Sequence, residues 1–243
     1  MGKHIKSKWL HICILTVILF VYQTFVGEIS WKIASLFDCF AIDKDGIFMS
    51  VSVHHIFMAL VTLGILCAIQ KKINLDFKLK PKKDKRGITY TALFCAAILV
   101  YYIVWYVVFG IVLDAIAGYD YELTAVNILG TLGFQLLLSG TAEELVFRAL
   151  PIGCLRAVCG KNSKFADVAV LLLSSVLFTI AHINFTLPLS GQWYSLIYVF
   201  VGGLIYGVAY LKSSSIIYPM MMHGVSNFIS VGGCYLYMVL FRT

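Results

Sequence analysis

Glu143 and Glu144 stand side by side in an apolar stretch, with Arg148 four residues after Glu144. Across residues 123–243 the only other acidic residue is Asp167, and the only histidines are His182 and His223, each inside its own apolar segment. A charge at the centre of a membrane helix costs about 2.5–3.5 kcal/mol on insertion scales, so groups kept there are read as functional by default. The residue types suit proton transfer. On a helix Glu144 and Arg148 are i and i+4 and pair on one face. Glu143 points about 100° away from Glu144. The pairing keeps Glu144 ionised and oriented. Glu143 has no evident local partner, and a carboxylate in an apolar site is suited to act as a general base. From this doublet alone, a structural ion pair between helices explains the residues equally well.

Two further pairs have the same spacing. Phe178 and His182 are i and i+4, as are His223 and Asn227. A lone His on an apolar helix is ordinarily a satisfied core residue, and a His–Asn pair is ordinarily an interhelical hydrogen bond. Taken together the groups weigh differently, because almost every ionisable side chain of the last four apolar segments belongs to this set. Glu143, His182, His223 and Asn227 supply a base, a second group to hold water, and donors for an oxyanion. Those are the parts needed to activate a water and attack a carbonyl. The same atoms could ligate a metal, since two His and a Glu form a known zinc shell. The His-Glu-x-x-His pattern of the zincins is absent.

The elements that must position these groups are membrane spans. The chain has 243 residues, 60% hydrophobic and 13% charged, with a mean hydropathy of +0.90. A soluble domain carries about 25% charged residues. Apolar runs recur at Trp9–Gly27, Phe48–Ile69, Ile88–Leu113 and Trp193–Leu211, and less uniformly at Ala125–Leu150, Ala166–Ile183 and Ile216–Leu240. Each is near the roughly 20 residues that cross a bilayer. The expected fold is an all-α polytopic bundle of about seven transmembrane helices. It is one membrane domain over 1–243: three spans in 1–122, then the catalytic core spans in 123–240. The first span follows Lys3, Lys6 and Lys8 but is long and lacks a cleavage site, so it reads as an uncleaved helix.

Net charge is +7, yet eight of the nineteen Lys and Arg residues lie in the segment 70–87. That segment reads as a solvated cytoplasmic loop beside anionic lipid, and no nucleic-acid partner is expected. Basic and acidic loops alternate, with Arg156, Lys161 and Lys164 in the next basic segment. The N-terminus is therefore expected in the cytoplasm. The seven cysteines are scattered, with no Cys-x-x-Cys pair. Gly203 and Gly207 form a GxxxG packing face. Pro151 is expected to kink or end the fourth helix. His182 lies eighteen residues past Lys164, but His223 only eleven past Lys212. Their depths would differ by roughly 10 Å. Three accommodations offer themselves: a later start of the fifth helix, its extension beyond His182, or a tilt. A short interfacial helix at 151–165 would absorb the difference.

Glu143-Glu144-x-x-x-Arg148, Phe178-x-x-x-His182 and His223-x-x-x-Asn227 resemble, in order, the three motifs of the CPBP family (CAAX proteases and bacteriocin-processing enzymes, also called Abi). The resemblance covers about residues 123–230. It implies an intramembrane endopeptidase of the bacterial plasma membrane, acting on a membrane-associated peptide or protein. Carried over, Glu143 and His182 activate the water and His223 and Asn227 form the oxyanion hole, with Glu144, Arg148 and Phe178 in support. The family has been described both as metal-dependent and as glutamic proteases. We adopt the reading without a cofactor; a divalent metal such as zinc would be held by Glu143, His182 and His223. Ala149 departs from the Gly that many members carry after the Arg. The competing expectations are a non-catalytic scaffold, such as a bacteriocin-immunity or sensor-kinase partner, and a small transporter with a buried charge relay.

Overall fold

The computed structural model describes residues 2–37, 41–160 and 164–242, with the side chains of residues 2–8 left out. The basic side chains Lys3, Lys6, Lys8 and Lys161 fall outside the described ones. The described residues are helical, without strands. Seven helices are long and apolar enough to cross a membrane, as the hydropathy pattern predicts, and the protein is a multi-pass membrane protein. We number them α1 (Gly2–Ala34), α2 (Met49–Ile73), α3 (Lys85–Val112), α4 (Ala125–Cys159), α5 (Lys164–Ala181), α6 (Trp193–Lys212) and α7 (Ile217–Phe241).

Polar side chains fix where helices begin. The buried Asp43 collects the backbone N–H groups of Ile47, Phe48 and Met49 at 2.9, 2.7 and 2.7 Å, which sets the start of α2. Asp84 accepts from the backbone N–H of Arg86 at the start of α3. The hydroxyl of Thr124 does the same for Asn127 at the start of α4. Each satisfies donors that a helix N-terminus otherwise leaves unpaired.

The basic loop is not simply solvated. Phe77 is fully buried and packs against Gly153 of α4. The Lys78 ammonium donates to the carbonyls of Tyr210, Leu211 and Ser213 at 2.7, 3.1 and 2.6 Å, so it caps the C-terminus of α6. Burial, and then the nearby Arg156, holds its proton less tightly than an ordinary lysine does, against the pull of Asp76, Asp84 and Asp167. The loop is thus a strap that ties α2 and α3 to the α6–α7 turn, with its remaining basic residues outward.

Pro151 neither ends nor breaks α4. The helix runs on to Cys159, so residues 151–159 are its last turns and not a separate interfacial helix. Two local devices allow this. A π-helical turn at Leu145–Ala149 loosens the register just before the proline. The Ser174 hydroxyl of α5 then donates to the Phe147 carbonyl at 2.5 Å, supplying a donor to the turn that Pro151 deprives of one.

The depth conflict resolves through the same extension. Sixteen residues separate Glu143 from Cys159, about 24 Å of helix. Eighteen separate Lys164 from His182, about 27 Å. Arg156 and Asp167 pair across this hairpin at 2.9 Å. α4 and α5 therefore form a hairpin that stands taller at its basic end than α6 and α7 do. The GxxxG face packs as expected: a Cβ on Gly207 would meet Leu171 of α5 at 2.6 Å.

Candidate active site

α4 carries the two glutamates on a segment, Gly140–Glu144, flanked by π-helical turns at Gln135–Ser139 and Leu145–Ala149. Single π turns inside α-helices are rare and often mark functional sites, because the extra residue re-aims the side chains of the next turn. At this level α4 touches α7 backbone to backbone. A Cβ on Gly140 would lie 2.8 Å from the Gly224 nitrogen and 2.8 Å from the Met220 oxygen. A Cβ on Gly224 would run into the Leu136 carbonyl oxygen. Only glycine permits this approach, and it brings His223 against the doublet.

Three of the four expected reacting groups meet at Glu143. Its Oε2 lies 3.8 Å from His182 Nε2 and 3.7 Å from His223 Nε2. Its Oε1 faces the other way. It accepts from the Ser139 hydroxyl at 3.4 Å and lies 3.2 Å from His55 Nε2. The fourth, Asn227, reaches the group through Ser139, whose oxygen accepts from Asn227 Nδ2 at 2.9 Å. His223 thus comes within 3.7 Å of Glu143, and Asn227 is linked to it through Ser139.

Each histidine is oriented through Nδ1. His182 Nδ1 lies 2.9 Å from the Phe178 carbonyl, and His55 Nδ1 lies 2.9 Å from the Val51 carbonyl. A carbonyl only accepts, so both Nδ1 atoms carry the proton. His223 Nδ1 lies 2.9 Å from Glu144 Oε1, and Glu144 Oε2 lies 3.4 Å from Arg148 Nε. Glu144 thus braces both Arg148 and His223, more than the pairing the spacing predicts. All three imidazoles present Nε2 to the Glu143 carboxyl group. Between His55 Nε2 and Glu143 Oε1 a hydrogen bond requires one proton on the pair, since two lone pairs would repel.

Aromatic rings hold this frame. Glu144 and Arg148 are fully buried. The Arg148 guanidinium lies over the Phe178 ring, 4.1 Å from its centroid. Phe178 turns edges to His182 and His223, with centroids at 4.5 and 5.8 Å. Tyr206 of α6 stacks on His223 at 4.8 Å and 15°. Phe178 is therefore one wall shared by both motif histidines, which gives its motif position a physical role.

Sequence reasoning missed His55, His54, Ser139 and Tyr206. His54 and His55 are a histidine doublet inside the second apolar run, as unusual there as the glutamates are in theirs. Ser139 is i−4 from Glu143 and so shares its face. For Tyr206 there was no signal among fourteen tyrosines. A cavity of about 430 Å³ leads to Glu143 between α1, α2 and α5, with Gln23, Trp31, His54 and His182 among its walls.

Among the described residues no group of three or more His, Cys, Asp or Glu is arranged to hold a metal ion. The three Nδ1 atoms are held by protein acceptors, which leaves each Nε2 facing Glu143, an orientation that metal-ligating histidines also adopt. No step of the proposed reaction is routed through a metal.

Fold and site together define a multi-pass membrane protein with a carboxylate–histidine centre between its helices. Residues 125–229, which carry all three motifs, match the family model of Rce1-like proteins, described as type II CAAX prenyl endopeptidase Rce1-like. That stretch, 105 of the 243 residues, is similar to a family of peptidases whose three motifs these residues resemble. No curated protein and no solved structure matches the chain.

Proposed function

We propose that this protein is an intramembrane endopeptidase of the glutamic type, working without a metal on a membrane-associated peptide or protein. The observation that carries this is the convergence of His182 and His223 Nε2 on one oxygen of Glu143, at 3.8 and 3.7 Å. Separations just beyond hydrogen-bond range suit a shared water, about 2.8 Å from each partner. In this scheme Glu143 Oε2 takes a proton from that water while His182 Nε2, unprotonated because Nδ1 holds its proton, accepts the second hydrogen bond. The hydroxide attacks the scissile carbonyl carbon. The oxyanion is met by His223, protonated on Nε2 with its Nδ1–H held by Glu144, and by the free amide N–H of Asn227. Glu143 then passes its proton to the leaving amine. Arg148, Phe178 and Tyr206 act by positioning.

The test compares wild type with Glu143→Gln and His182→Ala in a peptide-processing assay, with expression and melting monitored. The expected outcome is loss of cleavage, at least about 10²-fold for each variant, since positioned acid–base groups contribute roughly that much or more. Wild-type processing by both variants would end the peptidase reading and leave the scaffold or regulator role. Stripping with chelator, followed by elemental analysis, addresses the metal. Lost activity that zinc restores would overturn the metal-free scheme.

A further inference from the structure

The candidate site has a direction. Basic side chains gather at one end of the bundle: Lys71 and Lys72 end α2, Lys85 and Arg86 open α3, and Lys212 ends α6. That these ends adjoin is shown by Lys78 on the α6 carbonyls and by the Tyr218 hydroxyl donating to the Lys82 carbonyl. The opposite end is acidic, with Asp43, Asp45, Asp114, Asp120 and Glu122 in its loops. Asn127 Nδ2 donating to Asp45 at 2.6 Å, and Arg242 pairing with Asp114 at 3.2 Å, join those loops. The cavity that leads to Glu143 belongs to this acidic end. Its rim is made by Glu28 and Trp31 near the end of α1, by His54 near the start of α2, and by Ile183 and Phe185 just past the end of α5.

The loop beside the rim is built for the membrane interface. Phe185, Leu187, Leu189 and Trp193 are all exposed, Phe185 by 83%. Several of its backbone polar groups are satisfied from within. The buried Gln192 side chain accepts from the Asn184 N–H at 2.8 Å and donates to the carbonyls of Asn184 and Leu187 at 2.9 and 3.0 Å. Apolar and aromatic side chains exposed beside the ends of spans sit favourably at the membrane interface, where the backbone can still meet water.

We infer that the site is served from the membrane face opposite the basic loops, and that its substrate is an apolar peptide segment exposed on that outer face. By the positive-inside rule the basic loops lie in the cytoplasm. The segment is then part of an exported or outward-anchored peptide, not a lipidated tail on a cytoplasmic protein. The cavity gives an apolar segment Phe20, Met58, Phe147 and Ile180 to pack on, beside the polar Gln23, Glu28, His54 and His182 that lead to Glu143. The volume lies within the roughly 300–1,000 Å³ typical of ligand pockets.

The inference rests on the peptidase reading for its substrate, but not for its direction. The native cysteines are replaced by alanine, in a background whose expression and melting match wild type. Ser190→Cys or Lys80→Cys is then introduced and treated in intact cells with a membrane-impermeant maleimide. Labelling of Ser190→Cys at least tenfold above Lys80→Cys, equalised by permeabilisation, is the expected result. The reverse order overturns the inference, as does failure of Ser190→Cys to label from either side. A second arm adds a pool of quenched decapeptides with apolar centres to right-side-out and inverted vesicles, taking the signal above that of Glu143→Gln. Cleavage confined to inverted vesicles also overturns it. Cleavage in neither, with outward labelling retained, removes the peptidase reading and leaves the direction of the cavity standing.

Discussion

Gly140→Ala tests whether the site depends on the bare contact between α4 and α7. The added Cβ would sit 2.8 Å from both the Gly224 nitrogen and the Met220 oxygen, and 3.0 Å from His223 Cβ. Its first two neighbours are backbone atoms, which cannot swing aside. To reach ordinary contact of about 3.4 Å, the helices must part by roughly 0.6 Å. The His223–Glu144 hydrogen bond, now 2.9 Å, would stretch to about 3.5 Å, where it ceases to be one. Overpacking of this kind costs about 1–3 kcal/mol, against roughly 0.5–1 kcal/mol gained by replacing a helical Gly with Ala. The net expectation is about 0–2.5 kcal/mol of lost stability. Because a 1 Å misplacement can cost about 10²-fold in rate, kcat should fall about tenfold or more. Gly133→Ala is the control on the same helix, since its Cβ would meet nothing within 4 Å. The assay is cleavage of a quenched peptide by purified enzyme, with melting in detergent alongside. If Gly140→Ala matches Gly133→Ala in both measurements, the contact does not set the site and the reasoning is refuted.

Other contacts carry expectations of their own. Arg148→Met leaves Glu144 buried beside His223 without its cation and should destabilise by about 3–5 kcal/mol, read by detergent melting; wild-type melting would show the pair to be dispensable. Ser174→Ala removes the donor to the Phe147 carbonyl and should cost about 1–3 kcal/mol, but much less in a Pro151→Ala background, where the turn regains an N–H; a double-mutant cycle with no coupling would refute the account of how α4 passes its proline. At Asp84, burial tends to raise the carboxyl, but the N–H groups of Arg86, Ser214 and Gly87 and the Ser214 side chain outweigh it and hold it below its ordinary value. A depressed folded-state carboxyl stabilises above its unfolded value, near 3.9, and loses that contribution as pH falls through the folded one. Melting below pH 4 should therefore fall less steeply in Asp84→Asn, and an unchanged slope would count against the role of this cap.

The parts legible in the sequence are those that cost free energy where they stand. Charged and imidazole groups in apolar runs mark themselves, so Glu143, Glu144, Arg148, His182 and His223 could be read, and i, i+4 spacing paired Glu144 with Arg148 and Phe178 with His182. His55 obeyed the same rule and was passed over because it lies outside the three motifs. The far ends of helices were less legible. Pro151 reads as a kink or a stop, because the sequence cannot show that Ser174, on another helix, would supply a donor to its turn. Lys78 reads as one solvated lysine among many, because its three carbonyl partners are more than 130 residues away. Tertiary partners decide both cases, and no local pattern carries them.

Dividing the Glu143 carboxyl by its neighbours sharpens what the centre can do. Oε1 is engaged by His55 and Ser139, and through Ser139 by Asn227. Oε2 has no hydrogen-bond partner in the protein and faces the two motif histidines. In the proposed scheme one oxygen is held and the other reacts. The held oxygen is gripped largely from α2, outside the family match, so part of the site's orientation comes from the half of the chain that carries no motif. His55→Phe should then keep the apolar packing against Phe134, whose ring lies 4.9 Å from His55, while freeing Oε1 to rotate. The expected signature is a kcat about tenfold lower at unchanged KM, because orientation of the base acts on the transition state and not on substrate binding. His55→Gln, which can still donate to Oε1, should recover most of that loss. A rise in KM with kcat intact would instead make His55 a wall of the cavity and nothing more.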